Sequence, residues 1–155
     1  MADEVYLTPD GKAELERELE ELVTVRRPDL AQKLKEAVAD GDLKENANYH
    51  DAKEKQAFLE GRIQYLENIL RSAKIIEHNG ATDQVRIGST VTIREAGSDE
   101  DETFKIVGAA EANPRDGKIS QSSPIGAALL GHKKGEKIKA ETPNGTIVFE
   151  IRKIK

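Results

Sequence analysis

Leu15, Leu19 and Leu22 recur at spacings of four and three, the period of one helix face. The stripe resumes after Arg26 with Leu30, Leu34 and Ala37 or Val38, while Glu14, Glu16, Arg17, Glu18, Glu20 and Glu21 make the opposite, solvated face. Thr8-Pro9-Asp10 reads as the start of this helix: a hydroxyl N-cap, proline at the first helical position, and an acid near the positive end. Gly11 weakens the first turn. Arg26-Arg27-Pro28 interrupts the pattern. Proline inside a helix loses one backbone bond and clashes with the preceding turn, which predicts a bend there. The two arginines read as ordinary surface charge.

A cleaner stripe runs from about Asn46 to Ala73 through Ala52, Gln56, Leu59, Ile63, Leu66, Leu70 and Ala73. This is a heptad seam. Neither stripe can be buried alone, so the two helices are predicted to pack antiparallel about the short reversal at Gly41-Asp42-Leu43-Lys44-Glu45. Arms of roughly 28–32 residues at 1.5 Å per residue give a hairpin reaching ~45 Å. Gly61 lies off the seam, at a cost on the order of 1 kcal/mol against alanine, with no reason visible in the sequence.

Past Ile75-Ile76-Glu77 the helical period stops, and Asn79-Gly80 marks a turn or hinge. Val85 to Ile93 reads as a strand broken by Gly88, and Thr103 to Val107 as the returning strand. The acidic run Ser98 to Glu102 between them reads as a solvated hairpin loop, and Lys118-Ile119-Ser120 as a third short strand. Ser123-Pro124 opens a short helix closed by Gly131. Ile138-Lys139-Ala140 and Thr146 to Ile151 flank the hairpin signal Pro143-Asn144-Gly145. The fold class is therefore α+β: an N-terminal two-helix coiled-coil hairpin over residues 1–77, with its tip at 40–46, then an antiparallel sheet with one short helix over 78–155.

Composition narrows the possible chemistry. With 155 residues, 37% hydrophobic and 34% charged, the chain is poor in core for one compact globule, as elongated helices with wet faces would be. A net charge of −5 argues against tight binding to free nucleic acid. The absence of cysteine excludes disulfides, thiolate metal sites and cysteine nucleophiles. No run of about 18 apolar residues and no signal-peptide pattern is present, so a cytoplasmic location without membrane contact is expected. His78 and His132 are isolated from any zinc-ligand spacing and read as surface residues, and no Ser-His-Asp set or phosphate-binding loop occurs.

The tip supports two readings. Asp42 and Glu45 fit a capping box, with Asp42 as N-cap acceptor and Glu45 reaching back to its backbone. Alternatively both carboxylates project and share a divalent cation. Carboxylate oxygens suit Mg²⁺, but two acids hold it weakly unless a partner supplies further ligands. Asp40 adds a third acid with the same ambiguity.

Arg26-Arg27-Pro28, Gly41-Asp42-Leu43-Lys44-Glu45-Asn46-Ala47, Tyr49-His50 and Glu60-Gly61-Arg62-Ile63 together resemble the bacterial transcript cleavage factors of the GreA/GreB family, GreA type. The resemblance runs from about Tyr6 to the C-terminus, and its specific part is the tip. It implies a coiled coil that enters the secondary channel of RNA polymerase. Asp42 and Glu45 would there help to hold a Mg²⁺ shared with the polymerase active site, stimulating cleavage of backtracked RNA near its 3′ end. By this resemblance the protein is a cofactor of the polymerase and no enzyme by itself; a monomer is expected because each arm already has the other to pack against. The C-terminal module is then FKBP-like and docks on the polymerase, with Ser123, Pro124 and Ile125 in the docking loop. Lys53 retains one basic position expected to contact nascent RNA, whereas Val38 stands where family members often carry arginine, and Asn48 where an acid often follows. Three rivals remain: a pore-occupying inhibitor, a coiled-coil adaptor whose acids only cap a helix, and a prolyl isomerase. The isomerase is disfavoured because the C-terminal part offers only Phe104 and Phe149 as aromatics.

Overall fold

The computed structural model describes residues 4–41, 45–77 and 83–155. The chain divides into two compact units: Lys12–Ser72, and Met1–Gly11 together with Ala73–Lys155. The second of these takes in both flanks of the hairpin, so its boundary falls five residues ahead of the division read at 77/78. The cause is a pairing that the periodicity does not show. Strand β1 (Tyr6–Leu7) lies parallel to β2 (Lys74–Ile75), with Lys74 N–H donating to the Val5 carbonyl and Ile76 N–H to that of Leu7, both at 2.8 Å.

Within the helical unit, α1 (Pro9–Glu21) runs into a π turn (Leu22–Arg26), then α2 (Arg27–Ala39). The returning arm is α3 (Ala47–Ser72). The π turn accounts for the break in the hydrophobic stripe. Continued at steps of four and three, Leu15, Leu19 and Leu22 would lead to positions 29, 33 and 36; the apolar residues instead stand one later, at Leu30, Leu34 and Ala37. A π turn holds one residue more than an α turn. It absorbs that residue, and the stripe stays on one side. The Arg27 N–H reaches the Leu22 carbonyl, five residues back. Pro28 follows at once and has no N–H to give to Thr24, so the widened turn falls where an α-helical bond is lost in any case. The disturbance expected at Pro28 is thus an insertion just ahead of it. On α3 the seam residues Ala52, Ile63 and Leu66 are buried, and Leu15 and Ala37 are their buried counterparts on the first arm.

Two bidentate ion pairs cross between the arms. Arg27 Nε and Nη2 donate to Glu60 Oε1 and Oε2 at 2.9 and 2.8 Å, and Arg62 Nε and Nη2 donate to Glu18 Oε1 and Oε2 at 2.8 and 2.9 Å. Fork-to-fork geometry fixes orientation better than a point charge does. Arg27 is therefore a cross-arm contact rather than free surface charge, and two motif fragments that lie far apart in sequence meet here. Its guanidinium holds the Glu60 carboxyl below the usual range, and Glu60 in turn raises Arg27.

The second unit carries a five-stranded sheet in the order β5-β4-β3-β7-β6, where β3 is Thr90–Glu95, β4 Asp101–Val107, β5 Lys118–Ser120, β6 Lys137–Thr142 and β7 Gly145–Ile154. The β3–β4, β3–β7 and β6–β7 pairs are antiparallel, as the alternating patterns predict. The edge pair β4–β5 is parallel, the exception in an otherwise antiparallel sheet. Two short 3₁₀ turns, Ala109–Glu111 and Pro114–Asp116, carry the chain back so that β5 runs the same way as β4. Val85 lies ahead of β3, outside any strand, bonded instead to His132 and Gly131 through the backbone. The core packs Val91, Ile93, Ile106, Phe149 and Ile151 of the sheet against Leu129 of α4 (Pro124–Leu129). Gly108 is required by close approach: a Cβ there would stand 1.7 Å from the Tyr6 carbonyl oxygen.

Candidate functional site

At the tip, α2 ends at Ala39 and the Asp40 N–H closes on the Ala37 carbonyl at 3.2 Å. Gly41 follows with φ 138°, a conformation open to glycine at little cost. Asp42 lies outside the described residues. Glu45 stands in a turn and is exposed, and α3 begins only at Ala47.

The cap of α3 is Asn46. Its Oδ1 accepts the Tyr49 N–H at 3.1 Å, and the His50 N–H donates to the Asn46 carbonyl at 3.1 Å. Glu45 lies ahead of the helix, so it is not at the third helical position of the capping box; Asp42, the other half of that box, lies outside the described residues. The helix starts too late for Glu45 to take that position, because asparagine caps as well as aspartate and sits next to the first helical residue. Glu45 is left outside the helix with no capping duty.

Asp40, Asn48, Glu36 and Asp51 line a groove between the arms behind the tip, with Lys33 and Lys55. Lys33 pairs with Asp29 at 3.4 Å and Lys55 with Asp51 at 2.9 Å. Among the described residues no group of three or more histidines or carboxylates lies close enough to hold a metal ion. Lys53 is exposed on the second turn of α3, its Nζ 3.4 Å from Gln56 Oε1, and Val38 is 48% exposed on α2.

Ser123, Pro124 and Ile125 form the entrance to α4. Ser123 Oγ accepts the Gly126 N–H at 3.1 Å and donates to the Ser120 carbonyl at 2.7 Å. Pro124 is exposed, whereas Ile125 packs partly against the core. A Cβ on Gly126 would stand 2.1 Å from the Ser120 carbonyl oxygen, so this loop is tightly packed. Phe149 is buried in the core and Phe104 packs against it, which leaves neither free to line a proline pocket. His132 Nδ1 lies 2.8 Å from Glu136 Oε2 at the surface; His78 lies outside the described residues.

The chain thus comprises a two-helix hairpin with an exposed carboxylate, Glu45, in the turn ahead of its second arm, and a five-stranded sheet; comparison with known proteins supplies the family. A family model described as transcription elongation factor, N-terminal, matches residues 5–75, and one described as transcription elongation factor, GreA/GreB, C-term, matches residues 80–155. The chain belongs to the GreA/GreB family of transcription elongation factors. It is 52% identical over 150 residues to transcription elongation factor GreA of Roseiflexus castenholzii, covering 96% of each chain. It is 50% identical over 152 residues to GreA of Listeria monocytogenes serotype 4a, covering 96% of this chain and 93% of that one. Among solved structures, GreA factor homolog 1 of Thermus thermophilus is 33% identical, with 99% of both chains covered and a TM-score of 0.46. The GreA/GreB factor of Nitrosomonas europaea is 22% identical, with 98% of this chain and 99% of that one covered and a TM-score of 0.43.

Proposed function

We propose that this chain is a cofactor of bacterial RNA polymerase that stimulates the polymerase's own cleavage of backtracked RNA and has no nuclease activity alone. The observation that carries the reading is Glu45: an exposed carboxylate in the turn between the two arms, released from capping by Asn46, in a member of the GreA/GreB family. The hairpin enters the secondary channel, and Glu45 and Asp42 present oxygen donors to a Mg²⁺ whose other ligands belong to the polymerase and the transcript. Such an ion would activate a water for in-line attack at phosphorus and steady the charge that develops there. The chain's own contribution is placement. The cross-arm pairs Arg27–Glu60 and Arg62–Glu18 hold the two helices in register, and the reversal sets where the carboxylates project. Lys53 offers a positive charge to the RNA backbone, and the Ser123–Ile125 loop docks the second unit on the polymerase surface.

The test uses stalled, backtracked polymerase complexes carrying end-labelled RNA. The protein should accelerate release of a 3′ fragment and restore elongation, and should leave free RNA intact in the absence of polymerase. Slowed nucleotide addition without cleavage would replace this reading with that of a pore-occupying inhibitor. No effect on polymerase at all would leave only the adaptor.

A further inference from the structure

One side chain touches both ends of the tip. Asn46 Nδ2 donates to the Ala37 carbonyl in the last turn of α2, while Asn46 Oδ1 accepts the Tyr49 N–H in the first turn of α3. Helix ends leave backbone groups without partners inside the helix: carbonyls at the C-terminal end and N–H groups at the N-terminal end. Asn46 donates to a carbonyl at the first of these ends and accepts from an N–H at the second, which needs a donor and an acceptor on the same short side chain. The Ala37 carbonyl also accepts the Asp40 N–H. Ala37 and Ala52 are buried at this end of the seam, 4% and 5% exposed, so the clamp closes where small residues stand on both arms. The whole segment from 38 to 45 therefore begins and ends at groups held by Asn46, and Glu45 is its immediate neighbour.

We propose that Asn46 is the positioning residue of the tip, tying the end of α2 to the start of α3 so that Glu45 projects in a fixed place. The proposal rests on the polymerase-cofactor reading for its consequence and on geometry alone for the clamp. It differs from ordinary capping in a way that one substitution separates. Aspartate caps a helix about as well as asparagine, so Asn46→Asp keeps the acceptor for Tyr49. It has no donor for Ala37 and sets a carboxylate oxygen against that carbonyl. A residue that merely caps would tolerate the change.

The test compares wild type, Asn46→Asp and Asn46→Ala. On the free proteins, amide hydrogen exchange is followed at Asp40 and Tyr49. Asn46→Asp should leave Tyr49 protected and speed exchange at Asp40 by at least about tenfold, and Asn46→Ala should speed both. In stalled complexes, Asn46→Asp should lower the cleavage rate at saturating factor by at least about tenfold, since small misplacements of a reacting group are costly. The half-saturating concentration should stay within about twofold, because the docking loop is untouched. Wild-type cleavage by Asn46→Asp, or unchanged Asp40 exchange, overturns the proposal. If the wild-type protein itself stimulates no cleavage, the polymerase reading has failed, and the exchange measurement still decides the clamp.

Discussion

Gly11 stands in the first turn of α1, where helix propensity alone favours alanine by about 1 kcal/mol. The structure predicts the opposite sign. Thr8 is 4% exposed, and the Glu111 carboxylate accepts its N–H at 2.8 Å and its hydroxyl at 2.5 Å, while Thr8 Oγ1 accepts the Gly11 N–H at 3.1 Å. A Cβ on Gly11 would lie 1.7 Å from Glu111 Oε1 and 1.9 Å from its Cδ. The Glu111 side chain is flexible and can swing aside, so steric overlap is not the main cost. What is lost is its two bonds to Thr8. Leaving those two donors without a partner costs about 1–2 kcal/mol each. Set against the propensity gain of about 1 kcal/mol, Gly11→Ala should destabilise by roughly 1–3 kcal/mol. Urea unfolding at constant slope measures this. A double-mutant cycle isolates the cause: in a Glu111→Ala background the same substitution should be neutral or stabilising, by up to about 1 kcal/mol. A more stable Gly11→Ala in the otherwise wild-type chain would refute the reasoning.

Two further outcomes follow from the hairpin. Arg27 lowers the pKa of Glu60 below its ordinary 4.5, so the unfolded chain binds that proton more readily than the folded one. The contribution of the pair is complete above 4.5 and is lost as pH falls through the lower folded value; Glu60→Gln should flatten the acid limb of the stability profile, and an unchanged acid limb would deny the pair any part in it. Deleting Val25, which is 56% exposed in the π turn, removes the extra residue and should leave the hairpin nearly as helical and as stable by circular dichroism, whereas deleting Ala31 breaks the phase of the seam; equal damage from the two deletions would contradict the insertion account.

The sequence shows the long-range design of the hairpin because burial repeats at a regular period: Ile63 and Leu66 are identifiable from spacing alone, and they are buried. The strands β6 and β7 are just as plain, since alternating apolar residues flank a strong turn signal. What stays hidden depends on contacts between distant residues. Gly11 looks like a weakness until Glu111 comes to fill the space beside it. The β1–β2 pair joins two-residue strands too short for any period to register, although the apolar run Val5–Leu7 ahead of the Thr8 cap was a signal. The one-residue slip between Leu22 and Leu30 was visible, but reading it as a π turn required counting through the proline. At the tip the motif residues are evident in the sequence, but which residue caps α3 is not. Asp42 and Asn46 are both good caps, and only the observed start of α3 at Ala47 chooses between them.

On the proposed function, carboxylates at the reversal act on the polymerase active site and do not hold the protein together. A Mg²⁺ titration of transcript cleavage in stalled complexes, comparing wild type with Glu45→Gln and Asp42→Asn, tests it most directly. Because Asn46 caps α3, Glu45→Gln should keep the wild-type melting temperature and polymerase affinity, and its cleavage rate should fall by at least about tenfold with a shifted Mg²⁺ dependence. Full cleavage by Glu45→Gln and Asp42→Asn, with an unaltered Mg²⁺ dependence, would contradict the account.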